Sequence, residues 1–177
     1  LNVNARRTNA ILGRRSRVLY GPGVMHDELL GCRFEIGPTS FYQTNPAQTE
    51  VLYELALEGA GGSGHVLDAY CGTGTIGICA AVRASNLQVT GVEQVPAAVA
   101  CAERNARANG VDDRCRFVAA DATAWMARDG RSQRFDAIVM DPPRAGSTPE
   151  FLAGAAALAP RRIVYVSCNV VTQACPR

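Results

Sequence analysis

The chain has 177 residues, of which 47% are hydrophobic and 19% charged, and its formal net charge is +2. This length and composition suit one globular domain with a sizeable core, and they exclude a disordered tail or a fibrous repeat. No apolar run approaches the ~20 residues that a transmembrane helix needs, and no apolar stretch follows the first arginines as it would in a secretory signal. The sequence therefore predicts a cytoplasmic protein without a membrane partner.

All eighteen basic residues are arginine, and they are unevenly distributed. Residues 1–33 hold six arginines and two acids, a balance of +4, whereas residues 34–177 hold twelve arginines and fourteen acids, a balance of −2. A basic segment ahead of a mildly acidic domain is compatible with a polyanionic partner. A solvated basic face explains the same charges equally well.

The cysteine content favours a reducing compartment. The count of seven is odd and no pair has C-x-x-C spacing, so a disulfide framework is not expected. The two histidines are isolated, and no metal site is predicted. The cysteines are Cys32, Cys71, Cys79, Cys101, Cys115, Cys168 and Cys175. We expect all of them except Cys168 to be small buried apolar residues.

The first part of the chain predicts short strands, followed by a helix. Apolar stretches over 11–13, 17–20 and 32–36 are broken by turns, which is typical of short strands and hairpins. Further along, Asn45 suits a helix N-cap and Pro46 suits the first helical position. The helix that follows has an apolar face formed by Val51, Leu52, Leu55 and Ala56.

From residue 65 onward, apolar strands alternate with helices. The predicted strands are 65–70, 88–93, 116–119, 135–140 and 162–167, and the predicted helices are 75–84, 96–109, 123–128 and 149–158. This alternation predicts an α/β fold in which a parallel sheet is covered on both faces. In such folds ligands bind beyond the carboxyl ends of the strands.

A glycine turn with acids on both sides follows the first of these strands. Gly72 and Gly74 allow a tight turn and a close approach to a ligand, and Glu93, nineteen residues after Gly74, suits a ribose-binding carboxylate. With Gly77 the turn matches G-x-G-x-x-G literally, but Asp68 would repel a pyrophosphate. The acids instead favour a cationic cofactor with a ribose, such as S-adenosylmethionine. An ordinary glycine turn is the alternative.

Two further strand ends carry candidate chemistry. Residues 141–144, Asp-Pro-Pro-Arg, form a rigid corner that could hold the carboxylate of Asp141 at a strand end. Residues 167–169, Ser-Cys-Asn, end the last strand, so Cys168 is a candidate nucleophile. A small core residue is the alternative for this cysteine, and no His–Asn partnership supports a papain-like hydrolase.

These motifs, taken in order, resemble those of the RNA 5-methyluridine methyltransferases, which methylate uracil C5 in ribosomal or transfer RNA. The matching segments are 41–43, 68–75, Glu93, 141–144 and 167–169, with weaker similarity at 8–9 and 19–23. The resemblance implies a Rossmann-like S-adenosylmethionine-dependent methyltransferase domain over 37–177. It also implies that 1–36 are the tail of a central β-rich, RNA-facing domain. The stretches 67–77 and 141–146 look most similar to the 23S ribosomal RNA branch, so rRNA is expected as partner rather than tRNA.

The resemblance also assigns roles to individual positions. The cofactor site that it and the glycine turn predict comprises Gln43, Asp68, Tyr70, Gly72, Gly74, Thr75, Glu93, Asp121 and Asp141, with Asp121 near the adenine. Asp141 matches the position that meets the target uracil, and Cys168 matches the catalytic nucleophile. In the family's reaction the thiolate adds to uracil C6, which makes C5 nucleophilic. A base then removes the C5 proton and the thiol is eliminated.

After Asn169 the sequence departs from the family's pattern. The resemblance implies two further strands and a proton-abstracting Glu beyond residue 177, and an N-terminal RNA-binding domain before residue 1, so we expect part of a longer, monomeric enzyme. One alternative is a cofactor- or RNA-binding fragment without turnover. Others are methyltransferases acting on tRNA uridine, RNA cytosine C5 or an exocyclic amine. Cytosine enzymes commonly carry Cys in the motif that holds Arg144 here, and amine enzymes favour Asn where Asp141 stands.

Overall fold

The computed structural model of the chain describes residues 1–5, 13, 15–38 and 40–168. Two short strands, β1 (Asn2–Val3) and β2 (Arg15–Ser16), pair antiparallel, and β3 (Met25–Leu29) and β4 (Cys32–Ile36) form a hairpin. The strand predicted over 32–36 is confirmed as β4. The strand predicted over 17–20 is wrong, because its apolar side chains are exposed and find no sheet to pack on. The stretch at 11–13 lies largely outside the described residues.

Five parallel strands form the central sheet, which confirms the predicted α/β alternation. They are β5 (Gly64–Ala69), β6 (Leu87–Glu93), β7 (Cys115–Ala119), β8 (Ala137–Met140) and β9 (Arg162–Tyr165), arranged in the order β7-β6-β5-β8-β9. The chain runs outward from β5 to β7 and then returns to the other side of β5. The order therefore reverses between β5 and β8, and in open α/β sheets such a reversal opens a ligand crevice beyond the strand ends.

Among the described residues, five α-helices cover the two faces of the sheet. They are α1 (Pro46–Ala60), α2 (Thr75–Arg83), α3 (Pro96–Ala108), α4 (Ala122–Arg128) and α5 (Pro149–Ala157). The hairpin β3–β4 joins α1, α2 and α3 in one hydrophobic core, whereas α4 and α5 form the other core. Because the strands are covered on both faces, β5 and β8 are almost wholly buried.

Helix α1 begins as predicted but buries a different face. The Asn45 side chain accepts a hydrogen bond from the Gln48 backbone N–H at 3.3 Å, and Pro46 is the first helical residue. Val51, Leu52 and Leu55 are exposed and only Ala56 of the four predicted residues is buried, so most of the predicted apolar face is wrong. The buried residues are Thr49, Tyr53, Ala56, Leu57 and Ala60. Tyr53 and Leu57 on this stripe fill the core, while Ala56 and Ala60 let the helix pack closely.

The cysteines follow the expectation as far as the structure describes them. Cys32, Cys71, Cys79, Cys101 and Cys115 are buried, and Cys168 is exposed. Cys175 lies outside the described residues.

In the described ranges no cluster of three or more His, Cys, Asp or Glu side chains could hold a metal ion. None of the helices there is long and apolar enough to cross a bilayer.

Candidate active site

A cavity of about 600 Å³ opens at the carboxyl ends of β5, β6 and β8. This is the crevice where the strand order reverses, and its size is within the usual range for small-molecule sites. It brings together most of the predicted site residues: Gln43, Asp68, Tyr70, Gly72, Thr75, Glu93, Asp141 and Cys168. Gly74 and Asp121 do not line it.

The glycine turn after β5 depends on backbone conformations that favour glycine. Gly72 and Gly74 have φ angles of 55° and 81°. A Cβ on Gly74 would lie 3.0 Å from both Ile78 and Phe117. Gly74 therefore lets the turn lie close to the core, while Gly72 and Thr73 face the cavity.

Glu93 is held at the end of β6 by two backbone groups. Its Oε2 accepts a hydrogen bond from the Gly72 N–H at 3.2 Å, and its Oε1 accepts one from the Val95 N–H at 2.9 Å. These bonds connect the acid to the glycine turn and fix its direction. Each carboxylate oxygen keeps further lone pairs, which suit the hydroxyls of a ribose.

Asp68 is a buried carboxylate directly beneath the turn. It is 2% exposed, and its Oδ2 accepts a hydrogen bond from the Gly77 N–H at 2.9 Å. Burial raises the pKa of Asp68 to about 7, helped by the nearby Asp141 and Glu93 and opposed by the Gly77 N–H. The third glycine of the G-x-G-x-x-G pattern thus serves the protein's own packing. A Cβ on Gly77 would lie 2.7 Å from Val89 and 2.9 Å from the Asp68 carboxylate.

Asp141 follows β8 and faces the same cavity across from the glycine turn. Burial raises its pKa to about 6. Within the described part of the chain, no hydrogen-bond donor contacts its carboxylate. Together with Asp68 and Glu93 it gives the cavity three carboxylates. Poorly solvated carboxylates of this kind fit a ligand that carries positive charge.

Three tyrosines, Tyr42, Tyr53 and Tyr70, line the cavity, and of these only Tyr70 was predicted as a site residue. Tyr70 has a left-handed φ of 61°, and its ring packs against Phe151 with 4.9 Å between centroids. Tyr53 on α1 is buried, and its hydroxyl lies 3.1 Å from Oγ1 of Thr75 at the start of α2. The spacing of Thr49, Tyr53 and Leu57 on one helical face is a signal that could have identified Tyr53.

Asp121 and Cys168 occupy contrasting positions. Asp121 is exposed, and its Oδ1 accepts a hydrogen bond from the Ala124 N–H at 2.9 Å, so it caps α4. It follows β7, outside the cavity lining, and its predicted place near an adenine stays a prediction. Cys168 lies beyond β9, is exposed, and lines the cavity that holds Asp141.

Residues 47–158 match the family described as Methyltransferase small domain. The chain belongs to this family. A relative named as an uncharacterized RNA methyltransferase, from Lactiplantibacillus plantarum, is 47% identical over 174 residues, which cover 97% of this chain and 37% of the relative. One with the same description from Caldanaerobacter subterraneus is 44% identical, over 98% of the chain and 38% of the relative. The methyltransferase chain thus spans less than two fifths of the length of these curated relatives.

Solved structures of methyltransferases share this architecture. The Pyrococcus abyssi tRNA (uracil-54, C5)-methyltransferase in complex with S-adenosyl-L-homocysteine has a TM-score of 0.78 and 33% identity, over 98% of this chain and 41% of that one. A SAM-dependent methyltransferase from Agrobacterium tumefaciens has a TM-score of 0.66 and 21% identity, over 88% of this chain and 55% of that one. The fold is therefore the Rossmann-like fold of SAM-dependent methyltransferases, as the sequence resemblance predicted.

Proposed function

We propose that this methyltransferase chain is the catalytic part of an S-adenosylmethionine-dependent RNA methyltransferase that methylates C5 of a uridine. The observation that carries the proposal is the meeting of three carboxylates and one exposed thiol, that of Cys168, at a single cavity. The similarity to relatives named as RNA methyltransferases and to the Pyrococcus abyssi tRNA (uracil-54, C5)-methyltransferase supports the reaction class.

The cavity's own residues fit the cofactor. Glu93 suits the ribose hydroxyls, and the poorly solvated carboxylates of Asp68 and Asp141 suit the positively charged methionine portion. Gln43, Tyr70 and Thr75 line the same space. When bound, S-adenosylmethionine supplies an electrophilic methyl group for uracil C5.

Cys168 is proposed to act on the ring of the target base. Its thiolate forms a bond to C6, and the electron pair of the C5–C6 double bond moves toward the C4 carbonyl, so C5 becomes nucleophilic. Once C5 carries the methyl group, a base removes the C5 proton, the double bond re-forms and the thiolate leaves. Asp141 lines the cavity that the uracil would enter. A base in structured RNA must leave its stack to reach such a pocket.

The nucleophile is tested with RNA that contains 5-fluorouridine. Fluorine at C5 cannot leave as a proton, so the Cys168–C6 bond should persist as a denaturation-resistant adduct in the full-length protein. We expect Cys168→Ala to abolish this adduct. The control Cys115→Ala changes a buried cysteine away from the cavity and should keep the adduct. An adduct that survives Cys168→Ala would show that another residue is the nucleophile.

The RNA class is tested separately by methyl transfer to unmodified 23S rRNA and to unmodified tRNA. We propose rRNA, on the similarity of residues 67–77 and 141–146 to the 23S branch. The Pyrococcus abyssi structure favours tRNA as the second candidate, since that enzyme is named for a tRNA target. Transfer to tRNA alone would overturn the rRNA assignment. Cofactor binding without transfer to any RNA would favour a binding fragment over an enzyme.

A further inference from the structure

Two asparagines four residues apart, Asn105 in α3 and Asn109 at its C-cap, together bind the edge of β4 that does not pair with β3. Asn109 accepts a hydrogen bond from the Arg33 N–H at 2.9 Å and donates one to the Arg33 carbonyl at 2.7 Å. Asn105 accepts one from the Glu35 N–H at 2.8 Å and donates one to the Glu35 carbonyl at 3.1 Å. Each side-chain amide thus makes the pair of bonds that a neighbouring strand would make.

Asn105 also contacts the glycine turn, which Asn109 does not. Its Nδ2 also donates to the backbone carbonyl of Thr73 at 3.1 Å. Thr73 is the middle residue of the glycine turn and lines the cavity. Asn105 is only 1% exposed, and its side-chain N–H groups and oxygen have hydrogen-bond partners within the protein, as buried polar groups require. One buried amide therefore joins the hairpin to the turn.

The turn needs such a restraint. Thr73 lies between two glycines with positive φ, and glycine has the greatest backbone freedom of any residue. The Gly72 N–H is held by Glu93 on the cavity side, whereas Asn105 holds the Thr73 carbonyl from α3. No residue of β3 or β4 lines the cavity, so the hairpin can affect it only through intermediate residues such as Asn105.

We propose that Asn105 is a positioning residue that fixes the glycine turn for the cofactor and makes cofactor affinity depend on docking of the β3–β4 hairpin. The inference rests on the proposed function, because it assumes that the cavity binds S-adenosylmethionine. By linkage, the dependence is reciprocal: cofactor binding must also tighten the docking of the hairpin.

The test compares Asn105→Ala with Asn109→Ala in the full chain, with the dissociation constant for S-adenosylmethionine measured by calorimetry. Both substitutions remove a pair of hydrogen bonds to β4, but only Asn105→Ala also removes the hydrogen bond to the Thr73 carbonyl. We expect Asn105→Ala to weaken binding about tenfold, because a buried carbonyl loses its donor. Asn109→Ala leaves the bonds of Asn105 to Glu35 and Thr73 in place, so the hairpin stays docked next to the turn and affinity should stay within about twofold of the wild type. Circular dichroism establishes the folded fraction of each variant.

A second measurement needs no substitution. In the wild-type protein, added S-adenosylmethionine should slow hydrogen exchange of the Glu35 backbone amide. This N–H donates a hydrogen bond to Asn105 and lies outside the cavity. Equal affinities of the two variants, or unchanged Glu35 exchange on binding, would overturn the role of Asn105 while leaving the proposed function intact. Failure of the wild-type chain to bind the cofactor would overturn the proposed function and this inference with it.

Discussion

Asp68 is a buried acid whose ionisation lowers the stability of the fold. Its pKa is raised from 3.8 to about 7, so between these values the folded protein keeps a proton that the unfolded chain releases. The free energy of unfolding contributed by this group therefore falls as pH rises from about 4 to about 7. At neutral pH the folded protein retains a carboxylate that is poorly solvated unless a cation accompanies it.

Asp68→Asn should consequently stabilise the protein and abolish its function. An asparagine keeps an oxygen to accept from the Gly77 N–H but carries no charge. We expect the free energy of unfolding at pH 8 to rise by about 1–2 kcal/mol, with loss of S-adenosylmethionine binding. Denaturant titration and calorimetry measure the two effects. Asp112→Asn, at an exposed aspartate, is the control and should change neither. A destabilised Asp68→Asn protein would contradict this account.

Cofactor affinity should depend on pH through the same carboxylates. Asp141 and Asp68 have pKa values raised to about 6 and about 7, chiefly by burial. Only their ionised forms attract a cation, so affinity should increase from pH 5 to about pH 7.5 and then level off. Calorimetry across this range at constant ionic strength measures the dependence. Affinity that is flat or rises toward acid pH would exclude the carboxylates from cation binding.

The site acids could be located from sequence because they follow recognisable strands. Asp68 and Glu93 are among the last residues of apolar strands, Asp141 directly follows one, and parallel strands end at one edge. Tyr53 was missed because its place in the cavity depends on which face of α1 meets the sheet. The left-handed conformation of Tyr70 also could not be foreseen, since strain of this kind persists only where surrounding tertiary contacts enforce it.

Among the elements, the contact of α2 with β5 and β6 depends on Gly77. Gly77→Ala would place a Cβ 2.7 Å from Val89 and 2.9 Å from Asp68. We expect a loss of about 1–3 kcal/mol in the free energy of unfolding, together with weaker cofactor binding. Gly154→Ala on α5 is the matched control, because its Cβ would meet only ordinary contacts with Met126. It should stabilise the protein by about 0.5–1 kcal/mol.

Thermal and denaturant unfolding of the two glycine variants measure both effects. Opposite signs for the two substitutions would support close packing as the reason for the third glycine of the pattern. A Gly77→Ala protein as stable as the wild type would instead show that α2 can move away from the sheet without loss.

At the scale of the whole molecule, local patterns predicted the parallel sheet but not its surroundings. Apolar runs of strand length alternating with helices are local signals, and all five strands were recovered from them. The docking of β4 on α3 joins residues about 70 positions apart, such as Glu35 and Asn105. No local pattern encodes that contact, so the hairpin was predicted only as a loosely defined β-rich segment.

The asparagine pair on α3 also has a consequence for solubility. A strand edge with unpaired N–H and C=O groups is a template on which another chain can add a strand, and many proteins protect such edges. Here the side-chain amides of Asn105 and Asn109 form hydrogen bonds with the backbone of Glu35 and Arg33 and so occupy the outer edge of β4. Removing both amides should expose this edge and promote concentration-dependent self-association, measurable by sedimentation velocity. Asn105 and Asn109 would then keep the molecule from aggregating as well as hold its hairpin in place.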